Sequence, residues 1–370
     1  SRHFQIRFLL SIRANSLSRK VDFSGKRVVI DTDEYPEGYS CHIRDPKVWK
    51  ENGTYYMVLG ARTVDSVGQI LIYSSADMIK WGLYRVISSE NPFGYMWECP
   101  DIFNIDEDHV ISFSPQGLDA EEYRYQNTYQ SGYVMVDENP VGDGLDVNSG
   151  LQKEQLVIDQ KKFVEWDMGF DFYAPQTFQD NSGRRILVGW AGMPDPGYEN
   201  GETDAENWQH CFTVPRCLNV GTGVDGKKKV FQTPIKEIES LRIGEAVALS
   251  NEPLRSYESN NEFLDILCEN ISEKFEMVLD EGVTFRYNGS VLELLLSEKC
   301  GMGRKVRKAK ISKVNTVRLL VDSSIIEIYV NEGEIVFTTR FYKSLKGNRI
   351  SFDMPGADIK IYSMKAVSVE

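Results

Sequence analysis

Three prolines, Pro46, Pro100 and Pro175, open the same short pattern, and this repeat limits the fold of the 370-residue sequence more than any other feature. After each proline an aromatic residue follows at the third position, a polar turn comes next, and an apolar run completes a hairpin. The apolar runs are residues 55–59, 110–113 and 186–190. The prolines lie 54 and 75 residues apart, which is close to the period of one β-propeller blade with some loop insertion. The repeat therefore predicts consecutive blades, although hairpins that begin with proline also arise independently in other β proteins.

Beyond about residue 240 the pattern changes to short strands that follow one another roughly every 8 to 12 residues, as is typical of a β-sandwich. Asn288-Gly289 and the stretch that ends at Gly333 supply hairpin turns. The predicted strands are 262–268, 274–279, 283–287, 291–296, 315–321, 325–330, 335–341, 349–353 and 358–363. We therefore expect an all-β chain in which residues 22–235 form an incomplete β-propeller. Residues 240–370 are expected to form a C-terminal β-sandwich.

Residues 1–21 carry five basic side chains and no acidic one, whereas the whole chain has a net charge of −13. The segment is expected to be atypical, either the trace of an N-terminal truncation or an ordinary basic terminus. The acidic excess of the rest disfavours nucleic acids and anionic lipids as partners. No apolar run reaches the roughly 20 residues of a membrane helix, and no complete secretory signal is present. We expect a cytoplasmic chain, provided that Ser1 lies near the natural start.

Histidine and cysteine offer little material for a metal or redox site. The four histidines form no helical His-x-x-x-His pair, and the six cysteines form no Cys-x-x-Cys pair. We therefore expect reduced thiols, no metal and no organic cofactor.

Two carboxylates are predicted to stand at corresponding points of the repeat, beside its first two prolines. Asp45 directly precedes Pro46, and Glu98 lies two residues before Pro100. If the copies are equivalent blades, both side chains would project toward one end of a shared channel. Glycoside hydrolysis needs such a set, in which one acid protonates the departing oxygen and other carboxylates support the positive centre. The alternative is that both are ordinary turn or ion-pair residues.

Several neighbours of these carboxylates are candidate sugar contacts. Arg44 contributes a fixed positive charge next to Asp45, and Trp97 and Cys99 flank Glu98. Residues 166–176 interleave aromatic side chains with aspartate and glutamine, which suits a sugar because rings cover C–H faces while carboxylates and amides bind hydroxyls. Asp171 and Gln176 are the favoured members of that segment, although core packing explains its phenylalanines equally well.

Three segments resemble, in chain order, signatures of glycoside hydrolase family 32, the family of invertases, sucrose-6-phosphate hydrolases and fructanases. They are Arg44-Asp45-Pro46, residues 97–101 (Trp-Glu-Cys-Pro-Asp) and residues 170–176 (Phe-Asp-Phe-Tyr-Ala-Pro-Gln). Residues 186–192, 214–216 and 321–331 are also similar, so the likeness runs from about residue 36 to the C-terminus.

The resemblance implies a five-bladed propeller followed by a β-sandwich, and a retaining hydrolysis of β-fructofuranosides such as sucrose, sucrose 6-phosphate or a fructo-oligosaccharide. It implies that Glu98 is the general acid/base and that Asp45 is the transition-state stabiliser. Further substrate contacts are then expected from Arg44, Trp97, Cys99, Asp171, Tyr173, Gln176 and Trp190.

The sequence departs from the family pattern at the nucleophile. That residue is the aspartate of an Asn-Asp-Pro-Asn-Gly motif upstream of Arg-Asp-Pro, and this sequence contains no Asn-Asp-Pro. We therefore expect an N-terminally shortened hydrolase with impaired activity, or alternatively a catalytically silent carbohydrate-binding protein of the same fold. An incomplete propeller exposes strand edges, so a homo-oligomer is a further expectation.

Overall fold

A computed structural model describes residues 7–8, 27–142, 152–249, 252, 254–343 and 347–366. The atypical segment predicted at residues 1–21 lies outside the described residues, except for Arg7–Phe8. Strands dominate the described chain, as the sequence predicts. Neither of its two short α-helices, α1 (Gly201–Ala205) and α2 (Glu298–Gly301), could cross a membrane.

Of the first sixteen strands, fourteen build three larger sheets. Their bounds are β1 Arg7–Phe8, β2 Arg27–Val28, β3 Tyr39–Glu51, β4 Thr54–Thr63, β5 Gly68–Ser75, β6 Gly82–Ser89, β7 Met96–Ile105, β8 Asp108–Gln116, β9 Gly132–Val136, β10 Leu156–Ile158, β11 Val164–Glu165, β12 Tyr173–Gln179, β13 Arg185–Ala191, β14 Cys211–Phe212, β15 Arg216–Thr222 and β16 Lys228–Pro234. The first sheet has the order β10-β6-β5-β4-β3, the second β11-β9-β8-β7, and the third β12-β13-β15-β16 with β14 beside β13. Each sheet contains one copy of the proline repeat, in β3, β7 and β12. Strands β1 and β2 pair with each other in a small separate ladder.

The other twelve strands form two six-stranded sheets. Their bounds are β17 Arg242–Ala248, β18 Leu254–Ser259, β19 Leu264–Glu269, β20 Phe275–Leu279, β21 Val283–Tyr287, β22 Val291–Leu296, β23 Val306–Lys310, β24 Val317–Val321, β25 Ile325–Val330, β26 Ile335–Arg340, β27 Asn348–Asp353 and β28 Asp358–Met364. The sheet orders are β17-β28-β19-β24-β25-β26 and β18-β27-β20-β21-β22-β23. Alternate residues of strands such as β22 are buried, and both sheets contribute to one apolar core that includes Ile266, Phe285 and Phe337. All nine strands predicted in this region lie within two residues of observed ones, because alternation and turn residues are local signals.

The chain divides into two compact units. Unit 1 comprises residues 1–118 and 132–164 and holds the first two sheets, whereas unit 2 comprises residues 119–131 and 165–370. The third sheet thus lies in the same compact unit as the two six-stranded sheets.

A buried charge cluster explains why the third sheet belongs to unit 2. On β15, the fully buried Arg216 lies 3.0 Å from Asp167 and 2.9 Å from Glu327 of β25, and it donates to Thr338 at 2.7 Å. Buried charges are tolerated only when they are paired and hydrogen-bonded, so the three elements must stay together.

The first two sheets approach closely through glycine. A Cβ built on Gly60 would lie 2.1 Å from the Trp97 carbonyl oxygen, and one on Gly68 would lie 2.3 Å from the Trp97 ring. Only a residue without a side chain permits this approach of β4 to β7. The contact fixes the backbone at Trp97 and Glu98.

Candidate active site

Each copy of the proline repeat contains a β-bulge at the same place. Along the ladders, Arg44 pairs with Gly60 and Lys47 with Val58, so two residues lie opposite one at this point. The same shift separates residues 98 and 101 on β7, and residues 173 and 176 on β12. Bulges often turn side chains toward functional sites.

The residue before each proline adopts the left-handed backbone conformation that L-residues rarely use. The φ angles are 58° at Asp45, 48° at Cys99 and 48° at Ala174. Such a conformation costs about 1–3 kcal/mol and persists only where the surrounding structure enforces it. The repeat thus specifies a strained bulge as well as a hairpin.

The sequence predicts that Asp45 and Glu98 occupy equivalent positions of the repeat, and the bulges show that they do not. Asp45 occupies the position of Cys99 in the repeat, and Glu98 occupies the position of Arg44. The alignment from the sequence was therefore wrong by one residue. The structure nevertheless brings the two acids into one cluster within unit 1.

Reciprocal contacts join the two bulges. The Cys99 backbone N–H donates to Asp45 Oδ2 at 3.0 Å, and the Arg44 guanidinium contacts Glu98 Oε1 through Nε at 2.7 Å and Nη2 at 2.5 Å. Arg44 therefore pairs with Glu98 and not with its sequence neighbour Asp45. All four residues are partly exposed, so a ligand can reach them.

Three residues that sequence reasoning did not select also support this cluster. Gln116, at the end of β8, donates its side-chain amide to Glu98 Oε2 at 2.9 Å. One position after each proline, Lys47 and Asp101 form an ion pair that links β3 to β7. No local sequence signal marks Gln116, whereas the equivalent repeat positions of Lys47 and Asp101 could have identified that pair.

Cys99 is a neutral group in this cluster. Burial raises the pKa of its thiol well above the usual range, and the negative charges of Asp45 and Glu98 raise it further. Because the thiolate is the nucleophilic form, Cys99 does not offer a substitute for an aspartate nucleophile.

Trp97 is a correction to the predicted sugar contacts. Its ring is fully buried and stacks on Phe113 with centroids 4.3 Å apart, and its indole N–H donates to the Phe93 carbonyl at 2.6 Å. Neighbouring residues of a strand point to opposite faces, so Trp97 fills the core of unit 1 instead of covering a substrate beside Glu98.

Asp171 is the second correction. In unit 2 it is almost fully buried, and Arg304 donates to both of its carboxylate oxygens at 2.8 Å. The Arg340 backbone N–H also donates to it at 2.8 Å. Because buried groups donate to both of its carboxylate oxygens, Asp171 is a structural ion-pair residue and not a ligand for sugar hydroxyls.

The other predicted contacts of the third copy also lie in unit 2. Tyr173 is buried and pairs with Trp190 across the ladder, while its ring lies 6.0 Å from that of Tyr129. Trp190 is half-buried and meets the His210 ring edge-on at 4.8 Å, and Gln176 is exposed. Trp190 and Gln176 therefore retain surface that could meet a ligand.

The unit 1 cluster has the parts of an acid–base site. Glu98 is a carboxyl group oriented by donors on both oxygens, and Asp45 is a second carboxylate held on a strained bulge beside it. Oriented carboxyl groups can transfer protons and stabilise developing positive charge.

Comparisons with known proteins show which family the chain resembles. The sequence model for the glycosyl hydrolases family 32 N-terminal domain matches residues 9–234, and that for the C-terminal domain matches residues 290–368. The chain is 37% identical over 328 residues to a sucrose-6-phosphate hydrolase of Staphylococcus xylosus, an alignment that covers 83% of this chain and 62% of that protein. It is 36% identical over 319 residues to one of Bacillus subtilis, covering 83% and 63%. The chain thus spans less than two-thirds of the length of these relatives.

Solved structures show the same similarity. A sucrose-6-phosphate hydrolase from Lactobacillus gasseri superposes with a TM-score of 0.76 at 26% identity, covering 92% of this chain and 69% of that one. A Bombyx mori β-fructofuranosidase variant in complex with sucrose gives a TM-score of 0.72 at 27% identity, covering 88% and 66%. These relatives have the propeller-and-sandwich fold expected from the sequence. The chain belongs to glycoside hydrolase family 32.

Proposed function

We propose that this chain carries the proton-transfer part of a retaining β-fructofuranosidase site, with sucrose or sucrose 6-phosphate as the substrate class. The observation that carries the proposal is the reciprocal contact between the two bulges, in which Cys99 orients Asp45 and Arg44 orients Glu98. Relatives that are named sucrose-6-phosphate hydrolases, and a structure of a relative with sucrose, support the choice of substrate.

In the proposed reaction Glu98 acts twice. It first donates its proton to the glycosidic oxygen as the bond to the fructosyl group breaks, so that glucose or glucose 6-phosphate leaves while the nucleophile of the complete site bonds to the fructosyl carbon. The carboxylate then accepts a proton from the water that attacks the fructosyl group. Arg44 and Gln116 hold Glu98 in place for both steps.

Asp45 has a different role. Its carboxylate would accept hydrogen bonds from fructosyl hydroxyls and stabilise the oxocarbenium-like transition state. The left-handed backbone at this position fixes the direction of the side chain, which reduces the reorganisation needed during the reaction.

The missing nucleophile motif favours a second candidate function. Without an Asn-Asp-Pro-Asn-Gly segment, the chain alone is proposed to bind fructosides but to hydrolyse them very slowly, since removal of a covalent nucleophile costs several orders of magnitude in rate. A catalytically silent carbohydrate-binding protein would behave in the same way. Assembly into a homo-oligomer and a cytoplasmic location also remain proposals.

Calorimetric titration of the full chain with sucrose, together with a glucose-release assay, tests the proposal. We expect measurable binding that falls at least about tenfold in Asp45→Asn, as the loss of a charged hydrogen-bond acceptor predicts. Asp106→Asn is a matched control, because Asp106 is an exposed turn aspartate with a similar φ of 52°. Absence of sucrose binding, or equal loss in both variants, would refute the site. Robust hydrolysis that Glu98→Gln abolishes would confirm the site but contradict the impairment.

A further inference from the structure

Three Asn-Gly pairs occur in this chain, beginning at Asn52, Asn200 and Asn288. Asparagine before glycine is prone to lose its side-chain nitrogen as ammonia, because glycine has no side chain to hinder attack of its backbone nitrogen on the asparagine carboxamide. Attack within one chain needs no collision between separate molecules, so its rate depends on whether the local structure lets the two atoms meet. The structure places the three pairs in different surroundings.

Asn200 is held in the interior of unit 2. Only 7% of its surface is exposed, and its Oδ1 accepts hydrogen bonds from Arg304 Nη2 at 2.7 Å and from the Tyr342 hydroxyl at 3.2 Å. A hydrogen bond to a charged group contributes about 1.5–3 kcal/mol. Rotation of this carboxamide toward the Gly201 nitrogen would break both contacts, so we expect the fold to protect Asn200.

Asn288 is exposed but restrained. It lies in the hairpin turn between β21 and β22. Its Oδ1 accepts hydrogen bonds from the Ser290 backbone N–H at 3.1 Å, the Ser290 hydroxyl at 3.2 Å and the Val291 N–H at 3.0 Å. These contacts hold the carboxamide over the residues that follow Gly289, so we expect intermediate protection.

Asn52 lies at the tip of the hairpin between β3 and β4. Glu51 and Thr54 are the last ladder partners, so Asn52 and Gly53 alone form the turn. Their φ angles are 47° and 85°, as the tightest hairpin turns require. Both residues are exposed, and a Cβ built on Gly53 would meet no atom within 4 Å beyond its chain neighbours. The Asn52 side chain makes no hydrogen bond to any residue that the structure describes.

The turn at Asn52 also offers little resistance to local opening. Loops lie at the low end of local unfolding free energies, and the left-handed conformation is costly for an L-residue. The Asn52 carboxamide can therefore rotate toward the Gly53 nitrogen without breaking a hydrogen bond within the described chain.

We propose that Asn52 is a site of spontaneous covalent modification, in which its side-chain amide becomes a carboxylate through a cyclic imide with Gly53. The Gly53 nitrogen loses its proton to solvent base and bonds to Asn52 Cγ. The bond between Cγ and the side-chain nitrogen breaks, and that nitrogen takes up a proton and leaves as ammonia. Water then adds to one of the two imide carbonyls and reopens the ring, which gives aspartate or isoaspartate. The inference does not depend on the proposed function.

Peptide mapping by mass spectrometry tests the proposal on the full chain after increasing times at neutral pH. We expect Asn52 to react at least about tenfold faster than Asn200, and about threefold or more faster than Asn288, as the hydrogen bonds of those two residues predict. The rate at Asn52 should rise with pH, because base generates the attacking nitrogen. Ion-exchange chromatography should show a more acidic form that accumulates in parallel.

The same chain in concentrated urea is the matched control. Unfolding removes the three different surroundings, so the three rates should fall within about threefold of one another. Asn52→Gly keeps a residue that accepts the positive φ of the turn but removes the amide, and the acidic form should then not accumulate. Asn288→Gly, the equivalent change in the other hairpin, should leave its accumulation nearly unchanged.

The outcomes decide the assignment. If Asn52 stays intact in the folded chain while it reacts in urea, the turn protects it and the proposal fails. If Asn200 or Asn288 reacts as fast as Asn52 in the folded chain, local contacts do not select the site. If the acidic form accumulates equally in Asn52→Gly, another residue is its source and the proposal is overturned.

Discussion

Two arginine–carboxylate pairs differ in how deeply they are buried, one in the proposed site of unit 1 and the other in the core of unit 2. Arg44 and Glu98 in unit 1 keep 34% and 15% of their side-chain surface exposed, whereas Arg304 and Asp171 in unit 2 keep 0% and 1%. The first pair lies beside strained bulges and is open to a ligand. In the second pair, Arg304 donates to both carboxylate oxygens of Asp171, and a buried backbone N–H also donates to Asp171. Burial, and not the presence of a carboxylate near a family signature, thus separates an acid available for chemistry from one used in folding.

The largest expected effect comes from breaking the buried pair. Asp171→Asn leaves the Arg304 charge without a counterion in a dry environment, which we expect to lower the free energy of unfolding by about 3–5 kcal/mol. Glu98→Gln, the matched change in the partly exposed pair, should cost less than about 1 kcal/mol because solvent screens that pair. Urea unfolding of both variants checks the difference. Equal costs would mean that burial does not distinguish the two pairs.

The misassignment of Asp171 shows where sequence information ends. Its partner Arg304 lies 133 residues downstream, and no local pattern connects two such positions. Trp97 is different, because strand alternation next to a partly exposed Glu98 already predicts an inward-facing ring. In contrast, the propeller-type hairpins and sandwich strands were predictable because alternation and turn chemistry are local.

The bulges account for the one-residue error in the carboxylate alignment. Proline and the aromatic residue after it mark the strand, but only the ladder partners define which residue lies opposite which. Once Arg44 and Glu98 are known to share a position, the pairing of one with the other follows from their opposite charges. Sequence therefore located the candidate site to within one residue but not its contacts.

A smaller effect is expected from the glycine that allows the first two sheets to meet. Gly60→Ala would place a methyl group 2.1 Å from the Trp97 carbonyl oxygen, and because backbone must shift, we expect a loss of roughly 1–3 kcal/mol in unfolding free energy. The shift should also weaken sucrose binding, since Trp97 precedes Glu98. Gly82→Ala is the control, because a methyl group there would meet no atom of the described chain within 4 Å. Thermal unfolding measures the change in stability, and calorimetry measures the change in sucrose binding. If Gly60→Ala left both unchanged, the first two sheets would not be tightly packed at this point.

The smallest effect concerns the bulge of the third copy, where the backbone is strained but no catalytic group is proposed. Ala174 has a φ of 48°, and glycine at this position removes a penalty of about 1–2 kcal/mol while it adds about 0.5–1 kcal/mol of chain entropy to the unfolded state. Ala174→Gly should therefore raise the free energy of unfolding slightly, by up to about 1 kcal/mol.

Ala248→Gly, at an exposed strand residue with an ordinary φ, should instead lower the free energy of unfolding by about 0.5–1 kcal/mol. Urea unfolding gives the two signs directly. Because Asp45 shares the left-handed conformation of Ala174, opposite signs would support backbone strain at Asp45 as well, whereas two losses would show that the conformation of Ala174 carries no strain.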